Sequence, residues 1–342
     1  MASKNRQNIK YIISCLIVGI ILFLALSKRQ PIAVTSGTHI IMGTTVRVTV
    51  VAYDESKARE AINHAIKSMQ HTEAKMSYYN EDSELSMLNK TAFEHPVKIS
   101  EELFNLIKKS IEVNKISDGA FDCTISPVLE LWKHASETGI RPTSTEIQEA
   151  KNKTGTQNLI LNEQELTIKF KIEGMRIDLG GIAKGYAIDK AIDKLKELNM
   201  QGALVDAGGD IRCFGTPPQG KDSWKIGLQN PKLAEGEDVI MQLSLNDMAI
   251  TTSGDYYRFF MIGSEKINHI IDPTTSSSAK ELHSVSIIAK DATTADALAT
   301  AVTVLGKDKG KTMIEEMPDI EALMITSQDE IIKTAGMDQF LQ

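Results

Sequence analysis

Between Asp54 and Met69 apolar residues return every three or four positions, at Ala58, Ala61, Ile62, Ala65, Ile66 and Met69, with charges between them. That period predicts an amphipathic helix. The preceding stretch, THIIMGTTVRVTVVAY, alternates β-branched and small residues instead and predicts a strand pair or one long bent strand. YYNEDSELSMLN interrupts as a polar loop capped into a short turn, and a second helix fits 101–117, with Leu103, Leu106, Ile107, Ile111 and Val113 as its stripe. NLILNEQELTIKFK alternates as a hairpin, and MRIDLGG continues as a strand entering glycine. A helix is predicted over 187–200 and strands at 202–205, 224–228, 241–244, 249–253 and 284–290. A further helix over 294–305 stops at Gly306, as a C-terminal cap should, and the tail through DIEALMITS reads helix then strand. Runs of strands interrupted by helices predict an α+β fold with mixed, largely antiparallel sheets rather than a regular βαβ array.

The N-terminus departs from this pattern. Residues 11–27 carry no charge, a run of 17 that is near the minimum for a membrane span. Lys4, Arg6 and Lys10 precede it and Lys28 and Arg29 follow, a bias that keeps the N-terminus inside and exports the rest. A cleaved signal peptide lacks its Ala-x-Ala-like site here, and a lipoprotein modified at Cys15 would have only four apolar residues ahead of the cysteine. An uncleaved signal-anchor fits better. The expected organisation is a transmembrane helix within 1–29, a linker over 30–37 and one domain over 38–342, on the extracytoplasmic side of a bacterial cytoplasmic (inner) membrane.

Charge and cysteine content then exclude some functions. Removing the five positive charges of the first 29 residues from the net −7 leaves −12, a poor balance for nucleic acid. Beyond the anchor only Cys123 and Cys213 remain, with no CxxC and no Cys/His cluster, which argues against zinc or thiol-redox chemistry. A disulfide between the two stays open at this level.

Candidate chemistry centres on DLGGIAKGYAID, residues 178–189, which looks like a phosphate loop but lacks the Gly-Lys-Ser/Thr sequel. A strand, Gly180-Gly181 and a helix would still offer main-chain N–H groups to an anion, with Lys184 adding charge; a plain tight turn is the other reading. Asp178 beside such a site either bonds a ligand donor or faces a cation, or it caps the turn. In ATTADALATAV, Asp296 and Thr300 stand at i and i+4 on one helix face, two hard oxygen ligands suited to Mg²⁺, or else a first-turn Asp and a Thr bonded to its own helix. INHIIDP sets His269 and Asp272 around two apolar residues before a proline, His269 being a general base or a packed or exposed structural residue; Tyr79 stacks on an aromatic ligand or simply packs, and DGAFDCT and VDAGGDI read singly as ordinary turns.

Taken in order, MGTTVRV, SYYNEDSELSMLN, DGAFDCTISPVLELW, DLGGIAKGYAID, LVDAGGDI, AITTSGDYYRFF, HIIDP and ATTADALATAVTVLG resemble the ApbE family of FAD:protein FMN transferases, from about Met42 to Gly306. The resemblance implies an enzyme that cleaves FAD, attaches FMN through a phosphoester to a threonine of another protein and releases AMP. It implies Mg²⁺, FAD as substrate, and acceptors such as subunits of sodium-pumping NADH:quinone oxidoreductases or Rnf-type complexes. Carried onto matching positions, Met42, Tyr79, Ala120, Phe121, Asp122, Asp178, Lys184 and Ile271 would bind FAD, and Gly181 (through its carbonyl), Asp296 and Thr300 would hold Mg²⁺. Lys184 would also stabilise charge in the reaction, with His269 and then Asp272 as candidate bases toward the acceptor hydroxyl. The family's Thr-Gly turn after HIIDP is replaced by TTSSSAK, which predicts a mobile or altered loop there. The alternatives are a Mg²⁺-dependent FAD pyrophosphatase giving FMN and AMP, and a non-catalytic membrane-anchored flavin-binding protein.

Overall fold

The computed structural model describes residues 11, 13–19, 30–218, 221–229, 239–254, 259–263 and 265–341. Residues 13–19 are helical, but no helix among the described residues is long and apolar enough to cross a membrane. The rest of the expected anchor, 1–10, 12 and 20–29, lies outside the described residues.

The helices are α1 (Glu55–Met76), α2 (Glu84–Thr91), α3 (Glu101–Ile116), α4 (Ser126–Thr138), α5 (Ser144–Lys151), α6 (Ala183–Glu197) and α7 (Ala292–Glu315). Their ends are written in local chemistry. Asp54 caps α1 by accepting from the Lys57 N–H, Ser100 caps α3, and Thr143 with Glu146 forms a reciprocal capping box on α5. A proline in its first turn starts α4, and Gly139, at φ 71°, ends it. Neither α4 nor α5 was expected from the periodicity. Gly306 does break the last long helix, at φ 76°, but a second helical stretch continues beyond it inside the span of α7.

The main sheet runs, edge to edge, Ile32–Thr35, Thr44–Ala52, Gly202–Ala207, Asp210–Gly215, Ala249–Gly254, Leu282–Ala289, Glu321–Thr326 and Ile331–Lys333, with His39–Ile41 also pairing on Thr44–Ala52. Every strand pair among the described residues is antiparallel, so the expected mixed character is absent. The segment 30–37, expected as a linker, supplies the edge strand: Ile32 pairs with Ala52 and Thr35 with Thr49. The expected strand at MRIDLGG is not one either, because residues 175–179 find no neighbouring strand.

Side-chain alternation gives this sheet two different faces. Val46, Val48, Val50, Ala203, Val205 and Ala207 bury against the small-residue stripes of α1 and α6. Val51, Ile211, Cys213, Ile250, Ile288, Leu323 and Ile325 point the other way, onto the hairpin Trp224–Gln229 and Val239–Leu245. A separate core holds α2 and α3 against the small sheet of Val97–Lys98, Leu159–Asn162 and Thr167–Phe170, and reaches Leu298 and Val302 of α7. Cys123 lies in that core and Cys213 in the hairpin core; both are free thiols, which closes the disulfide question.

Helix α7 rests on the strands Ala249–Gly254 and Leu282–Ala289 and against α6. The α6–α7 approach is set at Gly185, where a Cβ would stand 2.1 Å from the Ala292 carbonyl oxygen and 2.9 Å from Asp296 Cβ. Only a residue without a side chain permits that spacing. Gly185→Ala should therefore destabilise the fold by about 2 kcal/mol, within the range for overpacked cores. Urea unfolding of the purified variant checks this, and unchanged stability would show that the helices can move apart at no cost.

Candidate functional site

The segment leading into α6 is extended but strapped rather than paired. The Ile177 N–H donates to Asn89 Oδ1 and Asn89 Nδ2 donates to the Ile177 carbonyl, both at 2.8 Å, while the Asp178 N–H donates to the Cys123 carbonyl at 2.8 Å. Asp178 Oδ1 accepts from the Gly180 N–H at 2.8 Å, so part of its role is to shape the turn. That turn delivers Gly181 against α7: a Cβ on Gly181 would lie 3.0 Å from Thr300 Oγ1 and 3.2 Å from the Phe121 ring. One turn back along α7, Asp296 Oδ2 accepts from the Gly185 N–H at 2.9 Å. The two halves of the expected metal site, more than a hundred residues apart in sequence, therefore meet.

The charges around this junction are buried and unequal. Asp296 is pushed up to about 7, first by burial and then by the negative charge of Asp210, with Lys184 pulling the other way. Lys184 Nζ sits 2.5 Å from Asp210 Oδ2. Asp206, one residue pair away across the Gly208–Gly209 turn, is likewise raised by burial, though the Gly209 N–H bonds its Oδ1 at 2.9 Å. A second buried carboxylate fixes the helices: Asp189 of α6 accepts the Ala292 and Thr293 N–H groups, each at 2.8 Å, and the Thr293 hydroxyl at 2.5 Å, and pairs with Arg212 at 2.7 Å. Asp189 thus caps α7 from another helix, beside that helix's own cap, Asp291.

Asp189, Arg212 and Asp210 were not singled out from the sequence. Asp189 carried a usable signal, since it stands within the apolar stripe of Ala187, Ile188, Ala191 and Ile192, where an acid is costly unless bonded. Asp210 gave none beyond a turn-like Gly-Gly.

The remaining expected residues fall into two groups, of which Phe121 reaches this junction. Phe121 is held by its main chain, its carbonyl accepting from Asn114 Nδ2 at 2.7 Å and its N–H donating to Ser117 Oγ at 3.1 Å. Ala120 precedes it after a left-handed Gly119, and Asp122 follows, its Oδ1 accepting from the Thr124 N–H and hydroxyl at 2.7 and 2.6 Å; burial raises its pKa. Met42 takes a left-handed backbone at φ 53°, its N–H donates to Glu73 Oε1 at 2.7 Å, and its side chain packs on both helix-side cores.

The second group gathers around α4. Tyr79 is 79% exposed, edge-on to Tyr78 with centroids 5.5 Å apart, and Lys133 Nζ lies 5.9 Å from its ring centre. Tyr78 beneath it is fixed: its hydroxyl accepts from Ser126 at 2.6 Å and donates to Glu130, which also pairs with Arg176 at 3.1 Å. Burial, then Glu130, pushes the Tyr78 phenol up to about 12. Ile271 is buried with Trp132, and His269 lies half-buried in the bend before it.

Asp272, the second expected base, is engaged locally. Its Oδ1 accepts from the Thr274 N–H and its Oδ2 from the Thr275 hydroxyl, both at 2.8 Å, so it makes the following turn. That turn keeps its shape without glycine. Ser276 adopts the left-handed conformation at φ 57°, its N–H donates to the Asp272 carbonyl at 2.7 Å, and its carbonyl accepts from Trp132 Nε1 at 2.9 Å. The loop expected to be mobile or altered is a closed turn, with a buried Ser276 hydroxyl that has no partner among the described residues.

Among the described residues no three His, Cys, Asp or Glu side chains gather as a metal-binding group. The expected set does not need one. A carbonyl, a hydroxyl and one carboxylate are all oxygen donors, which is the sparse protein contribution Mg²⁺ takes when substrate phosphates and water complete its shell. The observed fit is the closeness of Gly181 to Thr300 and the buried excess of negative charge at Asp296 and Asp210, which favours a cation.

Known proteins are similar over nearly the whole chain. The model of the ApbE family matches residues 42–324. A relative from Haemophilus influenzae named FAD:protein FMN transferase is 33% identical over 319 residues, covering 90% of each chain. One of the same name from Treponema pallidum is 31% identical, covering 88% of this chain and 87% of its own. Among solved structures, the ApbE protein of Thermotoga maritima is 34% identical with a TM-score of 0.81, over 92% of this chain and 100% of that one. The flavin transferase ApbE of Vibrio cholerae is 27% identical with a TM-score of 0.78, over 91% and 100%.

Two outcomes follow from the site as built. Because the native Asp296 carboxyl keeps its proton to a higher pH than an unfolded aspartate, at about 3.9, its ionisation costs the metal-free protein stability as pH rises from there through about 7. Asp296→Asn should raise the metal-free melting temperature at pH 8 and have much less effect at pH 4; an equal shift at both would show that charge is not the cause. Ser276→Gly should stabilise by roughly 1 kcal/mol, through relief of left-handed strain and loss of the unpartnered hydroxyl, less the entropy of glycine in the unfolded chain. Chemical denaturation at fixed pH measures it, and a destabilised variant would mean the Ser276 hydroxyl is bonded in solution.

Proposed function

On the premise that this chain belongs to the ApbE family, we propose that it is a Mg²⁺-dependent FAD:protein FMN transferase, joining FMN through a phosphoester to a threonine of an acceptor flavoprotein and releasing AMP. The observation that carries the reading is the junction of α6 and α7, where the Gly181 main chain, Thr300 and Asp296 converge beside Lys184. Such a site suits a pyrophosphate, whose cleavage depends mainly on positioning and on neutralising charge.

Gly181 lets the substrate phosphates approach the main chain at the entry to α6, where the first N–H groups of a helix favour anions. Its carbonyl, Asp296 and Thr300 would hold Mg²⁺, which when bound supplies charge neutralisation on the phosphate oxygens. Lys184, on the first turn of α6, carries the protein's own positive charge to the same place. The flavin end of FAD needs an apolar wall and an exposed ring; Phe121, Ile271, Met42 and the outward-facing Tyr79 offer these. Asp122 and Asp178 stand next to that wall, Asp178 with its main chain tied to residue 123. His269 is the group proposed to take the proton from the acceptor hydroxyl as it attacks phosphorus, with AMP leaving from the other side.

An uncleaved N-terminal anchor belongs to this reading, with the domain on the extracytoplasmic face of the membrane. Acceptors there would be flavoprotein subunits such as those of sodium-pumping NADH:quinone oxidoreductases or Rnf-type complexes.

Co-expression with an acceptor domain, followed by mass spectrometry of that domain, is the deciding experiment. Covalent FMN on a threonine is expected when the acceptor carries an export signal, and loss of both FMN attachment and AMP release is expected in Asp296→Ala. AMP and free FMN with an unmodified acceptor would favour a pyrophosphatase instead, and FAD binding without AMP a non-catalytic flavin carrier.

A further inference from the structure

Lys184 is already engaged before any substrate arrives. Its ammonium lies 2.5 Å from Asp210 Oδ2, and the two ends of this pair differ sharply in burial: Asp210 is 2% exposed while Lys184 retains 28%. The other carboxylate oxygen, Oδ1, accepts from the Thr252 N–H at 2.8 Å. Asp210 opens its strand directly after the Gly208–Gly209 turn, pairing with Ala207 on one side. The next strand pairs alongside, with Ile250 opposite Ile211. The carboxylate is therefore fixed to the rigid centre of the main sheet, and the lysine reaches it from the mobile end of a four-carbon stem.

That asymmetry is what a positioning group requires. A free lysine side chain carries about 2 kcal/mol of rotamer entropy that is lost when it must hold one geometry. A pair already formed at a fixed carboxylate removes most of that loss in advance, and a charge aimed before the reaction begins needs no reorganisation during it. An ammonium has three N–H donors, so a contact to one carboxylate oxygen does not exhaust it. A pair serving the fold alone has no reason to lie beside the junction of Gly181, Thr300 and Asp296, where Lys184 directly precedes the Gly185 whose N–H bonds Asp296.

We propose that Asp210 is a positioning residue for the transfer reaction: anchored on the Thr252 main chain, it holds the Lys184 ammonium at the first turn of α6, where the pyrophosphate of FAD is cleaved. This rests on the flavin-transfer reading, and it assigns Asp210 a role through Lys184, with no contact of its own to substrate.

The test is a double-substitution cycle on the full chain with FAD, Mg²⁺ and acceptor, reading AMP release. Asp210→Asn should lower kcat tenfold or more while KM for FAD changes less than threefold. Lys184→Met should lower kcat at least as much, and the double variant should be no slower than Lys184→Met alone. Independent losses that multiply, or a kcat for Asp210→Asn within twofold of the wild type, overturn the proposal. Melting temperatures without FAD or metal give a second readout. Lys184→Met strands a buried carboxylate and should melt lower, and adding Asp210→Asn should recover most of the loss; no recovery counts against the pair. If Asp210→Asn alone does not fold, the double variant compared with Lys184→Met still decides, since a further fall in kcat refutes action through the lysine. Wild-type protein that releases no AMP would overturn the transfer reading and this proposal with it, whereas wild-type turnover with multiplying losses overturns this proposal alone.

Discussion

Everything in the candidate site depends on how closely α6 and α7 can approach. At Gly185 the main chain of one helix lies against Ala292 and Asp296 of the other with no room for a Cβ, and the Gly185 N–H bonds the Asp296 carboxylate. From the same side of α6, Asp189 takes up three donors at the start of α7. These bonds fix rotation and translation of the two helices at once. Gly181 and Thr300 then face each other because nothing else is possible at that spacing, and Phe121 fills the third side. A small residue and two buried acids do more here than any large apolar side chain.

The same bonds explain an otherwise awkward electrostatic balance. Of three buried aspartates near the α6–α7 junction, at 189, 210 and 296, Asp210 pairs with Lys184 and Asp189 with Arg212. Asp189 is compensated by its helix-end donors and by Arg212, and Asp210 by Lys184 and the Thr252 main chain. Asp296 is left with the Gly185 N–H and the repulsion of its neighbours, which is why burial and Asp210 dominate its titration. A metal ligand is the kind of group that is tolerated in this condition, because its compensation arrives with the ion and the substrate.

Much of the fold was legible along the chain, and the failures have physical reasons. The stripe from Ala58 to Met69 became α1, and the β-branched run around Val46 to Val51 became an inner strand next to the sheet edge, since both patterns record burial. MRIDLGG failed because extended backbone is not a strand unless another strand lies beside it; here Asn89 satisfies Ile177 instead. Residues 30–37 failed in the opposite sense, because a short apolar run, Ile32 to Val34, flanked by Pro31 and Gly37, found an open sheet edge. In the turn after HIIDP, the missing glycine suggested a mobile or altered loop; Ser276 takes the left-handed backbone there, its N–H bonded to the Asp272 carbonyl and its carbonyl to Trp132.

For the site the division is cleaner. The i, i+4 spacing of Asp296 and Thr300 guarantees a shared helix face, and Gly180-Gly181 ahead of Lys184 guarantees a tight entry to a helix, because both follow from local backbone geometry. The order of eight short motifs was enough to point to the family. Which of those pieces touch was decided only by tertiary structure. Asp210 looked like part of an ordinary glycine turn until the sheet brought its carboxylate to Lys184, and the fold gives Asp272 a part in shaping its own turn that spacing did not show. Local sequence sets what a residue can offer, but burial and the neighbours supplied by distant strands set what that offer is used for.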